Sequence, residues 1–248
     1  MLCPLHGLPL ARGRGLLRCP RGHGLRSREG WFDFLAEPPA HDPYSSPLGW
    51  VYDWGANSRS LSRLVGVISL GFDAARMYGL MAEALRCDPD QVVLDVPVGG
   101  GTAFAEGAAG LKGLLIGADL SSGMLRRAAA RRARLHLKSH VVLVRADAGR
   151  LPLADASVDR VMCFNGLHVM PRKTAVLREF RRVLKPGGRL LGTVLLADPR
   201  LSYRAIGLRM LPFFQPPTKG SLARQARLAG FRTWRGEATG RVLFFAGE

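Results

Sequence analysis

Residues 92–102, Val-Val-Leu-Asp-Val-Pro-Val-Gly-Gly-Gly-Thr, set an acid beside a run of bare backbone. Val92, Val93 and Leu94 favour a strand, Asp95 closes it, and Gly99, Gly100 and Gly101 follow at once. A strand that runs into glycines makes a tight turn, which a nucleotide-like ligand can approach closely. A second apolar run, Leu114 to Ala118, ends in Asp119 about twenty residues on. A carboxylate at that spacing can take both hydroxyls of a ribose. The pyrophosphate fingerprint G-x-G-x-x-G is absent, because no glycine stands three residues beyond Gly101. The pair therefore predicts a nucleoside cofactor rather than a dinucleotide.

A second constellation lies at the N-terminus. Cys3-Pro4-Leu5-His6 and Cys19-Pro20-Arg21-Gly22-His23 each offer a sulfur and an imidazole, with twelve residues between the halves. Two such knuckles can close a tetrahedral Zn²⁺ site through Cys3, His6, Cys19 and His23. The intervening loop is rich in glycine and arginine and has little core of its own, so a metal would supply its folding energy. Chance is the competing reading, since the spacing departs from the commonest finger patterns.

These groups need a scaffold. Strands are expected at Val92–Val96, Leu114–Asp119, Val141–Val144, Arg160–Phe164, Arg189–Leu196, Phe231–Gly236 and Arg241–Ala246. Helices are expected at Ser58–Leu70, Ala74–Leu85, Thr102–Ala109, Ser122–Arg134, Thr174–Leu184 and Ser221–Ala229. Strand–helix alternation predicts an α/β, doubly wound, Rossmann-like sheet of seven strands. Its last two strands should form an antiparallel hairpin around Ala238-Thr239-Gly240, with ligands bound over the C-terminal strand ends. The organisation read from this is a zinc-ribbon-like module over 1–35, a proline-rich linker and cap helices over 36–85, and the main domain over 86–248.

The string from Asp95 to Gly101 resembles motif I of class I S-adenosylmethionine-dependent methyltransferases. Three later segments resemble that family in order. They are Gly117-Ala118-Asp119-Leu120-Ser121 with Met124-Leu125, then Arg145-Ala146-Asp147-Ala148 before Leu151-Pro152-Leu153, then Arg182-Val183-Leu184-Lys185-Pro186-Gly187-Gly188. The resemblance implies that Asp95, Pro97, Gly99, Gly101 and Asn165 lie along the methionine part of S-adenosylmethionine. It places Asp119, Leu120 and Met124 at the ribose, and Asp147 and Ala148 at the adenine. Tyr52, in the cap segment, is a further candidate for the cofactor. Pro97 departs from the family, which usually has glycine there, and this implies altered cofactor contacts. His168 follows the fourth strand and is a candidate general base; packing beside the cofactor is its alternative.

The segment from Asn165 to Gly188 resembles quinone-biosynthesis methyltransferases. With the apolar stretch Leu201 to Pro217 read as a lid, it implies a small, largely apolar methyl acceptor. The segment from Cys19 to Leu35 resembles the zinc module of bacterial 23S rRNA guanine-N1 methyltransferases, which carry cysteine where His6 stands. That resemblance implies the alternative of an rRNA base methyltransferase whose basic module grips RNA. A non-catalytic cofactor- or RNA-binding module is the third reading.

Composition sets bounds on these readings. An apolar content of 47% over 248 residues supports one good core and excludes wholesale disorder. The net charge of +17 raises the prospect of nucleic acid, yet the arginines are spread along the whole chain. Leu64 to Phe72 is too short an apolar stretch to cross a bilayer, and Met1-Leu2-Cys3-Pro4 begins no signal peptide. Four cysteines outside any secreted-type framework predict a reducing, cytoplasmic setting.

Overall fold

A computed structural model describes residues 1–13, 15–35, 37, 42, 71, 74–107, 110–197 and 214–248. Strands β1 (Ala11–Gly13), β2 (Leu16–Arg18) and β3 (Gly24–Arg26) form a small antiparallel sheet at the N-terminus. Then come β4 (Phe32–Asp33), α1 (Ala74–Leu85), β5 (Val92–Asp95), α2 (Thr102–Gly107), β6 (Leu114–Asp119), α3 (Ser122–Arg134) and β7 (Val141–Arg145). The chain continues through β8 (Val158–Phe164), α4 (Lys173–Val183), β9 (Leu184–Leu195), α5 (Lys219–Leu228), β10 (Trp234–Thr239) and β11 (Val242–Gly247).

The main sheet has the order β10-β11-β9-β8-β5-β6-β7-β4. It is parallel except at β10 and β11, which run antiparallel as the expected edge hairpin. The fold is the doubly wound α/β, Rossmann-like sheet that the alternation predicted. All seven expected strands form, and β4 adds an eighth at the far edge. Two boundaries differ for identifiable reasons. The hairpin turns at Gly240 and Arg241, because Thr239 is still paired with Val242. Strand β9 starts early because Leu184 pairs with Val158 before the chain bulges and rejoins at Arg189–Arg160.

The period of two along each strand separates the core into two layers. Leu94, Ile116, Val142 and Val144 face one cluster, which α4 and α5 close with Val176, Leu177, Phe180, Leu222 and Ala226. Val93, Leu115, Val141 and Leu143 face the other, closed by α1, α2 and α3 through Met81, Leu85, Phe104 and Leu125. Strand β5 lies between β6 and β8, so consecutive strands depart from it in opposite directions. Such a switch point opens a crevice over the strand ends, where ligands of this architecture bind.

The N-terminal segment shares this core. Leu17 is completely buried and clusters with Phe32 and the β7 valines, while Trp31 enters the second layer. Burying a leucine that fully stabilises by a few kcal/mol, through both transfer and packing. Leu17→Ala is expected to cost about 2–5 kcal/mol. Chemical denaturation followed by tryptophan fluorescence and by circular dichroism should show one shared, shifted transition. Two separate transitions would mean that the module folds apart from the sheet.

Candidate active site

Beyond β5 the chain keeps contact with its neighbours: the Val96 N–H donates to the Met162 carbonyl and the Val98 N–H to the Ala118 carbonyl, each at 2.9 Å. Gly99 then adopts φ +53°, and a side chain there would meet only open space. Gly101 has φ +80°, but a Cβ on it would strike the Phe104 ring at 2.7 Å. Gly99 therefore faces a ligand space, whereas Gly101 serves the close packing of α2 and does not line that space.

The space is a cavity of about 450 Å³ over the β5–β6 crevice, within the range of small-molecule sites. Asp119 organises its floor. One carboxylate oxygen accepts the Gly99 N–H at 2.8 Å and the other accepts the Ser121 N–H at 2.9 Å. Ser121 in turn caps α3 by accepting the Met124 N–H at 3.2 Å. An ionised carboxylate has about four acceptor positions, so Asp119 retains capacity for a ligand's hydroxyls. Asp95 lies beside it, also buried. Burial, and then the charge of Asp119, push Asp95 up to about 8. Burial likewise pushes Asp119 up to about 6, against the lowering effect of the Ser121 and Gly99 N–H groups.

Residues 93–188 match the family described as a methyltransferase domain. That segment is a methyltransferase domain. The chain is 34% identical over 155 residues to a demethylmenaquinone methyltransferase of Beutenbergia cavernae, covering 62% of this chain and 61% of the relative. It is 38% identical over 122 residues to a 27-O-demethylrifamycin SV methyltransferase of Amycolatopsis mediterranei, covering 49% and 45%. The chain thus spans about half to three-fifths of these relatives' length. Among solved structures, the cyclase SpnF superposes with a TM-score of 0.62 at 19% identity, covering 86% of this chain and 99% of that one. The last likeness concerns the fold alone, since one fold hosts several chemistries.

The structure brings most of the sequence-predicted residues of the methyltransferase domain to this one cavity. Asp95, Pro97, Gly99, Asp119, Leu120, Met124, Asp147, Ala148 and Asn165 all line it. Asn165 takes φ +52°, with its side-chain oxygen accepting the Thr193 hydroxyl at 3.1 Å and its amide directed at the Met77 sulfur. Asp147 accepts the Gly149 N–H at 2.8 Å and meets the exposed Arg172 at 3.5 Å. Tyr52, the Ser58–Leu70 helix and most of the Leu201–Pro217 stretch lie outside the described residues.

His168 is not among the described residues that line the cavity; its ring packs edge-on against Phe214, and its Nδ1 accepts the Leu195 N–H at 3.5 Å. Burial, and then nearby Lys173, push it down to about 4. The ring is therefore held neutral and clipped to β9. Sequence reasoning missed Asp42, Met77 and Met81, which line the cavity, and Thr193, which fixes Asn165. The two methionines stand four apart on α1 and so share a face. That spacing was their only signal, and it reads equally as core.

The N-terminal knuckles converge as well. The Cys3 sulfur lies 3.6 Å from His6 Nδ1 and 3.1 Å from His23 Nδ1, and the Cys19 sulfur lies 3.3 Å from His6 Nδ1. Neighbouring S and N ligands of a tetrahedral zinc, with bonds of about 2.3 and 2.05 Å, stand roughly 3.6 Å apart. Cys3, His6 and Cys19 bring their ligand atoms within 4.8 Å of one another and fit such an ion, whereas His23 approaches through Cys3 alone. Desolvation raises the Cys3 thiol, and hydrogen bonds from His23 and from the Leu5 and His6 backbone outweigh it, bringing it down to about 6.

The carboxyl pair sets a pH dependence. Both folded values lie above the unfolded carboxylate range, so the folded chain holds the extra protons. The resulting stability is complete below about pH 4 and is lost as pH rises through about 6 and about 8. The ligand-free chain is expected to lose stability on the order of a few kcal/mol between pH 4 and pH 9. Asp95→Asn should flatten that slope and raise the unfolding midpoint at pH 8. Urea denaturation at each pH reads this, and equal slopes for both proteins would refute the assignment.

Proposed function

We propose that the chain is an S-adenosylmethionine-dependent methyltransferase acting on a small, largely apolar acceptor. The observation that carries this reading is the Asp119 carboxylate, buried between the Gly99 and Ser121 N–H groups on the floor of the cavity. Asp119 would hold the ribose hydroxyls, and Asp147 and Ala148 the adenine. Gly99 leaves backbone room for the methionine part, and Asp95 offers a carboxylate to its ammonium. Bound there, the cofactor supplies an electrophilic methyl group on a sulfonium. The residues of the chain then have mainly to align the partners and exclude water, because in-line displacement gains most from positioning.

Two observations support an apolar acceptor. Met77, Met81, Phe164, Val169, Met170 and Val176 give the cavity much of its lining. Two relatives carry names of enzymes that methylate demethylmenaquinone and a rifamycin. Among the described residues no helix is long and apolar enough to cross a membrane, so a lipophilic acceptor would be taken up at a cavity rather than within a span. The rRNA alternative draws on one observation of its own: Arg12, Arg18, Arg21, Arg26 and Arg28 are exposed on the N-terminal module. Such a surface favours phosphate contacts.

Labelled S-adenosylmethionine, offered separately with a lipid-and-quinone extract and with ribosomal RNA, tests the choice. Label in the extract supports the proposal, and label in RNA replaces it with the alternative. Asp119→Ala should weaken cofactor binding at least about a hundredfold by titration calorimetry, since two charge-assisted hydrogen bonds are lost. Unchanged affinity would remove Asp119 from the site.

We also propose that Cys3, His6, Cys19 and His23 hold one structural zinc, which would supply folding energy to the β1–β3 sheet. Elemental analysis is expected to find about one zinc per chain. Cys19→Ala should lose the metal and lower the melting temperature, whereas a metal-free parent chain would overturn the assignment.

A further inference from the structure

The methyltransferase domain and the N-terminal module meet where β4 joins the sheet, pairing Phe32 with Val144 and Asp33 with Arg145. Arg145 of β7 links Asp33 to the turn that follows β6. Its Nε donates to the Leu120 carbonyl at 3.1 Å, and its Nη1 meets the Asp33 carboxylate at 3.3 Å. The side chain is only 13% exposed. Leu120 stands between Asp119 and Ser121, the two residues whose hydrogen bond shapes the floor of the site. The backbone on the other side is tied as well, since the Ala146 N–H donates to the Asp119 carbonyl at 3.0 Å.

We propose that Arg145 is a positioning residue for the cofactor. It holds the Asp119–Leu120–Ser121 turn from beneath, and Asp33 of the N-terminal module holds Arg145. A guanidinium suits this task because its rigid fork can serve a carbonyl and a carboxylate together. The module thereby becomes part of the nucleoside end of the site without touching the ligand. Two more arginines fasten the same loop. Arg132 donates to the Gly30 carbonyl at 2.9 Å and to the Val141 carbonyl at 3.2 Å, and Arg126 pairs with Glu29 at 3.3 Å. Both stand on α3, whose first turn carries Met124. The exposed Arg126–Glu29 pair adds little by itself. The part-buried contacts of Arg132 and the largely buried Arg145 side chain provide the fixed geometry.

The inference rests on the reading of the cavity as a cofactor site, and the test separates the two. S-adenosylhomocysteine is titrated into the parent chain, Arg145→Met, Asp33→Asn and Leu228→Ala, the last a distant exposed site. Arg145→Met is expected to raise the dissociation constant about tenfold. Asp33→Asn should give a smaller increase, because Arg145 keeps its bond to Leu120, and Leu228→Ala should give none. With an acceptor in hand, Arg145→Met should raise the KM for S-adenosylmethionine and leave kcat at saturating cofactor within about twofold. A folded Arg145→Met protein that melts lower yet binds as tightly as the parent overturns the proposal and leaves a structural arginine only. Should Arg145→Met fail to fold, Asp33→Asn decides the matter through the same constant, and parental affinity in that variant counts against it. Absence of binding by the parent chain overturns the cofactor reading itself, and this inference with it.

Discussion

The Asp119 carboxylate ties two turns that would otherwise be independent. One follows β5 and carries the glycines; the other follows β6 and starts α3. Backbone N–H groups from both converge on its two oxygens, so the floor of the cavity is a closed ring of main chain around a single acid. Charge-assisted bonds of this kind are stronger than neutral ones. Here they must also offset the cost of burying a carboxylate that has no cation beside it among the described residues. The balance falls short, which is why the group resists ionisation. An anion held above its ordinary pKa gains most when hydroxyl or ammonium donors arrive.

The N-terminal segment solves a different problem. A parallel sheet that ended at β7 would present unpaired N–H and C=O groups, and such an edge invites pairing with other chains. Two residues of β4 cover it, and the Phe34 N–H extends the pairing to the Arg145 carbonyl at 2.9 Å. The cover is short, so it depends on side chains for its hold. Trp31 and Phe32 enter opposite core layers, Arg132 of α3 grips the loop that precedes them, and Arg145 of β7 holds Asp33 just after them. Deep in the main core, Leu17 anchors the small sheet itself.

How legible this was in the sequence followed from how local each signal is. Strands β5, β6 and β8 are short apolar runs bounded by acids or turn residues, and α3 begins at a Ser-Ser-Gly start, so their period and punctuation define them. The glycine turn and Asp119 were legible because both elements bear chemistry at a fixed spacing. The Cys–His knuckles were legible for the same reason. Strand β4 was not, since two residues carry no period and only a partner strand makes them a strand. Met77, Met81 and Thr193 looked like core, because a methionine or threonine that lines a cavity and one that fills a layer have the same pattern. Asp42 sits in a proline-rich stretch, and only the tertiary structure places its carboxylate on the Ser122 N–H at 3.0 Å. The surroundings of His168 are likewise tertiary, since its ring meets Phe214, forty-six residues later.

The distribution of charge argues most directly that the cavity is selected for a ligand. The chain carries 36 lysines and arginines against 19 aspartates and glutamates. Among the described residues that line the cavity the ratio is reversed, with Asp42, Asp95, Asp119 and Asp147 against Arg172. That arginine stands at the exposed rim. Chance arrangement of a basic chain would neutralise buried acids with some of its abundant arginines, as it does outside the site, where Arg182 takes both Glu179 and Asp155 at 2.7 Å. Among the described residues no cation pairs with Asp95 or Asp119, which costs stability, and a ligand's own positive charge can supply that partner. A sulfonium and an ammonium on one molecule fit that demand.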